Sequence, residues 1–592
     1  MRAVDLLRSL WILAIFLGTF VWVPWRLFPA RRNSGTVMSV AGDLARMVLG
    51  MTAVAYLLAA LRVFNAITVV ILLGGALAVE WAWRRSSDHG GFLPGLQTFA
   101  LGMLRKFEAR QFGLYFAPRT RRRVATSPVT FRLHRWSRVV KDQGLLLACL
   151  LAVLVTATVL RSEHAFRELR PDQPEQYTAL LHARALILNL HPGGRPLVSS
   201  ALIATTSLLS AQDPMQVARF LSPVVGVLLV VAAGLLIYVH AGMGVAVVAA
   251  MYCLGAFFPA AKADPAVATG AMEKLLGLFG PGLTILRSSM EFELGLLFLM
   301  LALALLGDWY SNLRGWGSLL DLFCCLLLVG MVSNFLLLVL MVAAAVLLLH
   351  RTAGLIAFAA LCYGLAAGAT LLAPGSAVQN EALMVLPVAA AIAVGCLFSM
   401  VETPLVIHAG ETGRLAPLIV LLGVAVIWAR PHELSGQYLE YEAAARETAE
   451  IAHRFPRQQW AVAAPVEQLP ETHGLGAYDD LAEFVQEYEP VASDPRFRFK
   501  DMPANLFVYV EKKPFQIFTH EPASVSFSVL ADVTYSHYRS PGGRASLEVA
   551  ALRLCENYRQ SHPGVDIFFE NDDLRIYHIK PGTENNQIAQ QR

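Results

Sequence analysis

The sequence predicts an α-helical polytopic membrane protein with a C-terminal extracytoplasmic α/β domain. Three observations lead to this fold class. Of the 592 residues, 56% are hydrophobic and only 16% are charged. Apolar segments long enough to cross a bilayer recur over residues 1–430. Residues 431–592 instead alternate short strand-like and helical patterns. This composition excludes an ordinary soluble globular protein.

The apolar windows predict a bundle of about eleven to thirteen membrane helices, since each window can cross the hydrocarbon core. The run from Leu10 to Val23 lacks a small-residue cleavage site and is therefore expected to be an anchor. Region 318–350 is compatible with two short helices meeting at Ser333-Asn334 or with one long tilted helix. The predicted spans are 8–28, 40–61, 66–83, 144–160, 219–239, 242–260, 284–306, 318–332, 335–350, 353–373, 384–400 and 415–430.

The charge distribution predicts the orientation. Between Arg84 and Lys141 there are 13 Lys/Arg against 2 Asp/Glu, which is typical of a cytoplasmic segment. Residues 431–592 have the opposite bias, with 24 acidic and 15 basic residues. Alternating spans then place residues 161–218, the C-terminal domain and the N-terminus outside a bacterial cytoplasmic (inner) membrane. The basic segment is expected to bind anionic membrane lipid and not nucleic acid.

Three regions follow from these patterns. Residues 1–143 form an N-terminal anchor region with the basic cytoplasmic loop, 144–430 a transmembrane core, and 431–592 a soluble domain. In that domain we expect helices at 440–454 and 546–560, the second after a turn at 540–543. Of the seven cysteines only Cys555 lies in the domain, so no disulfide framework is predicted. Strands are expected at 460–464, 505–511, 565–569 and 574–579 because these segments are rich in β-branched and aromatic residues.

Two acidic patches interrupt the apolar pattern on the outer side. The first contains Asp172 and Glu175, and the second is Glu291-Phe-Glu293 after Arg287. Carboxylates at a membrane boundary are costly to desolvate, which makes them functional candidates. Oxygen ligands from separate segments suit Mg²⁺ or Mn²⁺, which bridge to substrate phosphates.

Structural roles for the same residues stay open. Asp172 and Glu175 could cap a helix, and acids such as Glu291 favour a helix start through its dipole. On a regular helix the side chains of Glu291 and Glu293 point about 200° apart, so one site could hold both only if the helix starts irregularly. Arg287 could bind a phosphate or pair with Glu291.

The order of these motifs carries a family resemblance. Asp172 to Tyr177, then His191-Pro-Gly-Gly-Arg-Pro-Leu-Val, then Ser210-Ala-Gln-Asp-Pro-Met-Gln-Val-Ala-Arg219 resembles the first outer loop of oligosaccharyltransferase catalytic subunits. Glu291-x-Glu293 is similar to the second acidic motif of this GT-C superfamily of membrane glycosyltransferases. The similarity covers residues 144–310 or so, and the WWDYG motif that recognises a sequon is absent.

The resemblance implies a glycosyltransferase, inverting in type. It would transfer a sugar or glycan from a polyprenyl-phosphate-linked donor to an unidentified acceptor on the outer face. By resemblance, Asp172, Glu291 and Glu293 would be catalytic and would hold a divalent metal. Substrate-binding candidates are Arg287, Arg195, Glu175, His191 and Glu381.

A second interpretation is a non-enzymatic GT-C-like transporter or assembly subunit of a cell-surface polysaccharide system. A transporter should show inverted repeats and interrupted spans near the bilayer midplane. Here the acidic residues lie at one interface, which favours the enzyme.

Overall fold

The structure is a computed structural model, and it is mostly helical with a small sheet near the C-terminus. It describes residues 2–28, 36–87, 174–190, 195–241, 290–312, 316–349, 351–372, 439–499, 502–515, 541–562 and 564–581, parts of 151–171, and residues 385 and 389. The predicted spans at 242–260 and 415–430, and most of those at 144–160 and 384–400, lie outside these ranges.

Among the described helices, four are long and apolar enough to cross a membrane: Val4–Leu27, Met38–Ala60, Pro214–Leu236 and Met290–Trp309. They overlap predicted spans, whereas the segments predicted at 66–83, 318–332, 335–350 and 353–373 fall on helices with shorter apolar stretches. The bundle comprises α1 (Arg2–Leu17), α2 (Val23–Leu27), α3 (Thr36–Ala60), α4 (Ala66–Ser87), α5 (Pro174–Ile187), α6 (Val198–Ser210), α7 (Pro214–Ala241), α8 (Met290–Asn312), α9 (Trp316–Val332), α10 (Asn334–Leu349) and α11 (Arg351–Leu372).

Region 318–350 is two helices, α9 and α10, and they meet at Ser333. The Ser333 Oγ accepts the backbone N–H groups of Phe335 (3.1 Å) and Leu336 (3.2 Å). A serine in this position is an N-cap, which satisfies donors that have no partner within the helix. Region 318–350 is therefore two short helices and not one long tilted helix.

Helix α6 lies in the centre of the bundle. It corresponds to the apolar stretch 197–209, in which no span was predicted, and all but two of its residues are buried. At 13 residues it is about 20 Å long, too short to cross the hydrocarbon core. Six of its residues are Ser or Thr, and a helix that is buried on nearly every side is stable only where other elements surround it, as α3, α5 and α7 do here.

Two turns of the bundle are joined by one amide side chain. Asn189, which follows α5, accepts the backbone N–H of Phe64 at Oδ1 (2.7 Å) and donates from Nδ2 to the Phe64 carbonyl (3.3 Å). Its φ of 57° lies in the left-handed region, which asparagine tolerates better than most residues. The turn between α3 and α4 is thereby fixed to the end of α5.

The C-terminal region contains a five-stranded sheet in the order β2-β1-β3-β5-β4. Strands β1, β2 and β3 are parallel, whereas β5 runs antiparallel to both β3 and β4. Four of the strands lie where the sequence predicts them. The strands are β1 (Trp460–Ala464), β2 (Ala477–Asp480), β3 (Asn505–Glu511), β4 (Val565–Glu570) and β5 (Leu574–Ile579).

Helices cover both faces of this sheet. Helix α12 (Glu442–Arg454) packs on one face, and α14 (Leu481–Tyr488) and α15 (Pro541–Ser561) pack on the other. A short helix, α13 (Leu469–Thr472), follows β1. Helix α15 begins at Pro541 and not after the predicted turn at 540–543, because proline is favoured in the first turn of a helix.

The sequence did not predict β2 or α14. Ala477-Tyr-Asp-Asp480 has no β-branched residue, and β2 is an edge strand that pairs only with β1. Asp480 ends the strand and caps α14 by accepting the Ala482 N–H (2.9 Å).

The C-terminal domain packs on residues 169–188 of the helical part. Glu442 accepts the backbone N–H groups of Leu169 and Arg170, and Arg184 donates to the His473 carbonyl (3.4 Å). Tyr177 of α5 is fully buried within the hydrophobic core of the domain. We call this end of the bundle the domain-facing end.

Candidate functional site

Glu291 holds the beginning of α6. One carboxylate oxygen accepts the backbone N–H of Val198 (2.9 Å), and the other accepts that of Ser199 (2.6 Å). The preceding N–H, that of Leu197, donates to the Tyr56 hydroxyl (2.7 Å). Three successive donors at the start of α6 are therefore satisfied by side chains of α3 and α8, and a carboxylate also interacts favourably with the helix dipole.

Glu293 faces a different partner, Arg161. The Arg161 guanidinium donates to Oε1 of Glu293 in an ion pair within the helical bundle, and the Glu293 side chain is 0% exposed. Gly226 of α7 makes room for this arginine, because a Cβ at position 226 would lie 2.6 Å from the arginine Nε. The two glutamates thus serve separate contacts, as the regular start of α8 at Met290 requires.

Arg195 lies in the segment that leads into α6. Its Nη2 donates to the carbonyls of Gly330 (3.3 Å) and Met331, near the end of α9. A cation at the C-terminal end of a helix is favourable because the carbonyls there lack partners within the helix. Arg195 also lies close enough to Glu291 for the two charges to interact.

Of the other predicted site residues, the structure describes Glu175 alone. Glu175 is exposed and lies in the first turn of α5, where an acidic side chain interacts favourably with the helix dipole. Asp172, His191, Arg287 and Glu381 lie outside the described residues.

The described carboxylates do not by themselves fit the expected divalent metal. Both Glu291 oxygens accept backbone N–H groups, and Glu293 is paired with a guanidinium. Within the described ranges, no group of three or more His, Cys, Asp or Glu side chains could hold a metal ion. A magnesium or manganese site needs several oxygen ligands directed at one point.

Sequence reasoning did not single out Arg161, Tyr56 or Gly226. Arg161 follows directly after a predicted apolar span, and a charge in that position could have been paired with the buried acid of α8. Tyr56 and Gly226 lie within apolar stretches and have no comparable signal in the sequence.

A second group of polar side chains lies where α5 meets the C-terminal domain. The Tyr177 hydroxyl donates to Oε1 of Glu440 (2.6 Å), and Gln468 donates to Oε2. Deeper in the domain, Arg544 forms hydrogen bonds to both Glu511 oxygens (2.8 and 2.7 Å).

Comparisons with protein families, with curated proteins and with solved structures return no match to this chain. Function must therefore be inferred from the chemistry of the site, since a fold alone does not imply an activity.

Proposed function

We propose that the protein is a membrane glycosyltransferase that uses a polyprenyl-phosphate-linked sugar at the outer face of a bacterial cytoplasmic membrane. One observation carries the proposal: Glu291 binds the N–H groups of Val198 and Ser199. Two motifs that are separated by more than ninety residues in the sequence, and that resemble the paired motifs of the GT-C superfamily, are therefore in direct contact. Both lie in the bundle next to α5, on which the domain packs.

In this proposal, Asp172 is the general base. It accepts the proton of the acceptor hydroxyl as that oxygen attacks the anomeric carbon, and the bond from that carbon to the phosphate oxygen breaks. A single displacement of this kind inverts the anomeric centre. Arg287 and Arg195 would stabilise the departing polyprenyl phosphate, because guanidinium groups bind phosphate oxygens with paired hydrogen bonds.

The test measures release of polyprenyl phosphate from polyprenyl-phosphate glucose and polyprenyl-phosphate mannose in membranes that contain the protein. The wild type is expected to release it from at least one donor, and Asp172→Asn, which keeps the shape but not the charge, to reduce the rate about 100-fold or more. Glu450→Gln, on the exposed face of α12, is the matched control and should keep the wild-type rate. Equal rates for wild type and Asp172→Asn would overturn the assignment of Asp172.

A second candidate function is a non-enzymatic assembly or transport subunit of a cell-surface polysaccharide system. It is favoured by the fact that Glu291 and Glu293 already have protein partners. This function predicts no donor turnover by the wild type with either probe, together with a loss of surface polysaccharide when the protein is deleted.

A further inference from the structure

The contact between α5 and the C-terminal domain contains two buried carboxyl groups, Glu440 and Glu471. Glu440 accepts hydrogen bonds at both oxygens, from Tyr177 of α5 and from Gln468. Glu471 lies on α13, which packs against α5. The pair therefore belongs to the contact itself and not to the interior of the domain alone.

Glu471 is a buried carboxyl group whose hydrogen bonding differs from that of Glu440. It is 1% exposed, and neither of its oxygens accepts a hydrogen bond from an N–H or O–H donor within the part of the chain that the structure describes. A charged carboxylate that is buried in this way is strongly disfavoured relative to its protonated form. The carboxyl groups of Glu471 and Glu440 lie within hydrogen-bonding reach of each other, and a hydrogen bond between them requires one proton.

The surrounding charges do not remove the need for this proton. Arg184 of α5 pairs with Asp213 (3.0 Å), and Arg544 pairs with Glu467 and Glu511. Burial is the main cause that raises the pKa of Glu471, to about 8, and burial likewise raises the pKa of Glu440 well above its usual range. The titratable and charged groups that act on the pair include Tyr177, Arg184, Asp213, Glu442, Glu467 and Tyr509.

We propose that Glu440 and Glu471 form a proton-operated latch that keeps the C-terminal domain docked on α5 while the two carboxyl groups share a proton. Loss of the proton leaves two adjacent buried carboxylates, and their repulsion loosens the contact between the domain and α5. This proposal stands apart from the proposed transferase activity and does not depend on it.

The direction of the pH dependence follows from the raised pKa. An acid whose pKa is higher in the docked state stabilises docking fully below its ordinary value of 4.5, and this contribution is lost as the pH rises through about 8. Docking should therefore weaken from neutral to alkaline pH. One proton changes the opening constant by up to about tenfold per pH unit in this window.

The experiment is hydrogen–deuterium exchange on the full-length protein in detergent between about pH 6 and pH 9, with rates corrected for the intrinsic pH dependence of exchange. Protection of the α5 amides is expected to fall by up to about tenfold per pH unit and to level off above about pH 8. Protection of β3 serves as the internal reference for unfolding of the whole domain and should fall less.

Glu471→Gln removes one of the two carboxyl groups and supplies a permanent amide donor to Glu440, so the fall in α5 protection with pH should be clearly smaller than in the wild type. Glu548→Gln is the matched control, because Glu548 is buried in the same domain but accepts the Glu511 N–H (2.7 Å), and this variant should keep the wild-type slope. A flat wild-type profile, or an unchanged slope in Glu471→Gln, would overturn the latch.

Tyr177→Phe keeps the proposal testable if Glu471→Gln fails to fold. The Tyr177 hydroxyl stabilises the charged form of Glu440, and its removal should raise the pKa of the pair. The midpoint of the change in α5 protection is then expected at higher pH than in the wild type. A midpoint that does not move, or that moves to lower pH, contradicts the proposal.

Discussion

At the residue scale, Glu291 shows how one side chain can hold a helix that lacks its own cap. The residue before α6 is Leu197, which cannot accept a hydrogen bond through its side chain. A carboxylate from α8 takes that role and connects two segments that are far apart in the sequence.

Replacing Glu291 by alanine should therefore act on stability. The change leaves the Val198 and Ser199 N–H groups without their acceptors, and we expect a loss of about 1–3 kcal/mol in the free energy of unfolding. The thermal midpoint of the detergent-solubilised protein measures this loss, and Glu291→Gln should lose less because one acceptor oxygen remains. An unchanged midpoint for the alanine variant would speak against the capping role.

The buried pair of Arg161 and Glu293 predicts strong non-additivity. Glu293→Gln removes the carboxylate that pairs with the buried Arg161 guanidinium, at a cost of about 3–5 kcal/mol. The double variant Arg161→Met/Glu293→Gln should recover most of that loss, since both charges of the pair are then removed together. A double-mutant cycle measures the coupling, and simple addition of the two single effects would contradict the pairing.

Sequence reasoning identified Arg195, Glu291 and Glu293 as special but could not assign their partners. Spacing gives the direction of a side chain on its own helix, and it correctly indicated that the two glutamates diverge. The partner on another helix depends on packing between segments such as α7 and α8, which no local pattern encodes.

At the element scale, Gly226 allows a charged side chain to cross the surface of α7. Gly226→Ala would place a methyl group against Arg161, and we expect a destabilisation of about 1–3 kcal/mol in a thermal unfolding assay. The matched control is Gly75→Ala on α4, where no atom lies within 4 Å of the new Cβ. That change should be neutral or stabilising by up to about 1 kcal/mol, because alanine favours a helix over glycine. Equal effects of the two changes would show that helix propensity and not Arg161 decides the outcome.

Strands β1, β3, β4 and β5 could be predicted because each is a dense run of apolar and aromatic residues. Strand β2 could not be predicted, because its composition is not typical of a strand. It is a strand because it pairs with β1. Helix α6 was missed as an element for a related reason: its length is set by its burial between neighbours and not by the thickness of a bilayer.

At the scale of the whole molecule, the beginning of the first helix lies at the same end of the bundle as the C-terminal domain. Asp5 lies 4.0 Å from Arg219, and Trp11 Nε1 donates to the Ser210 carbonyl (3.0 Å). Asp213 lies between Ser210 and Arg219 in the sequence, and it pairs with Arg184. Arg184 in turn donates to the His473 carbonyl of the domain. The first residues of α1 therefore lie at the domain-facing end.

This arrangement predicts the sidedness of chemical labelling. Cysteines introduced at the exposed positions Val4 and Val491 should both react with a membrane-impermeant maleimide from the same side. Intact cells and inverted vesicles give the two readings, and the unsubstituted protein measures the background from its native cysteines. Labelling from opposite sides would contradict the placement of the two positions.

Because Glu291 and Glu293 already bind protein partners, we expect neither to contribute to stabilisation of the protein by a divalent metal. Addition of Mn²⁺ should shift the thermal midpoint equally in the wild type and in Glu291→Gln, because a ligand that binds the native state elsewhere stabilises both to the same extent. A Mn²⁺-dependent rise that disappears in Glu291→Gln would identify Glu291 as a metal ligand.

The bond between Asn189 and Phe64 has a consequence for how the two turns tolerate substitution. Asn189 binds only the backbone of residue 64, so position 64 should accept other large apolar side chains that fill its buried volume. Position 189 needs a donor, an acceptor and a left-handed backbone together. Aspartate lacks the donor, and glycine lacks both the donor and the acceptor. Homologous proteins should therefore vary in sequence much more at position 64 than at position 189.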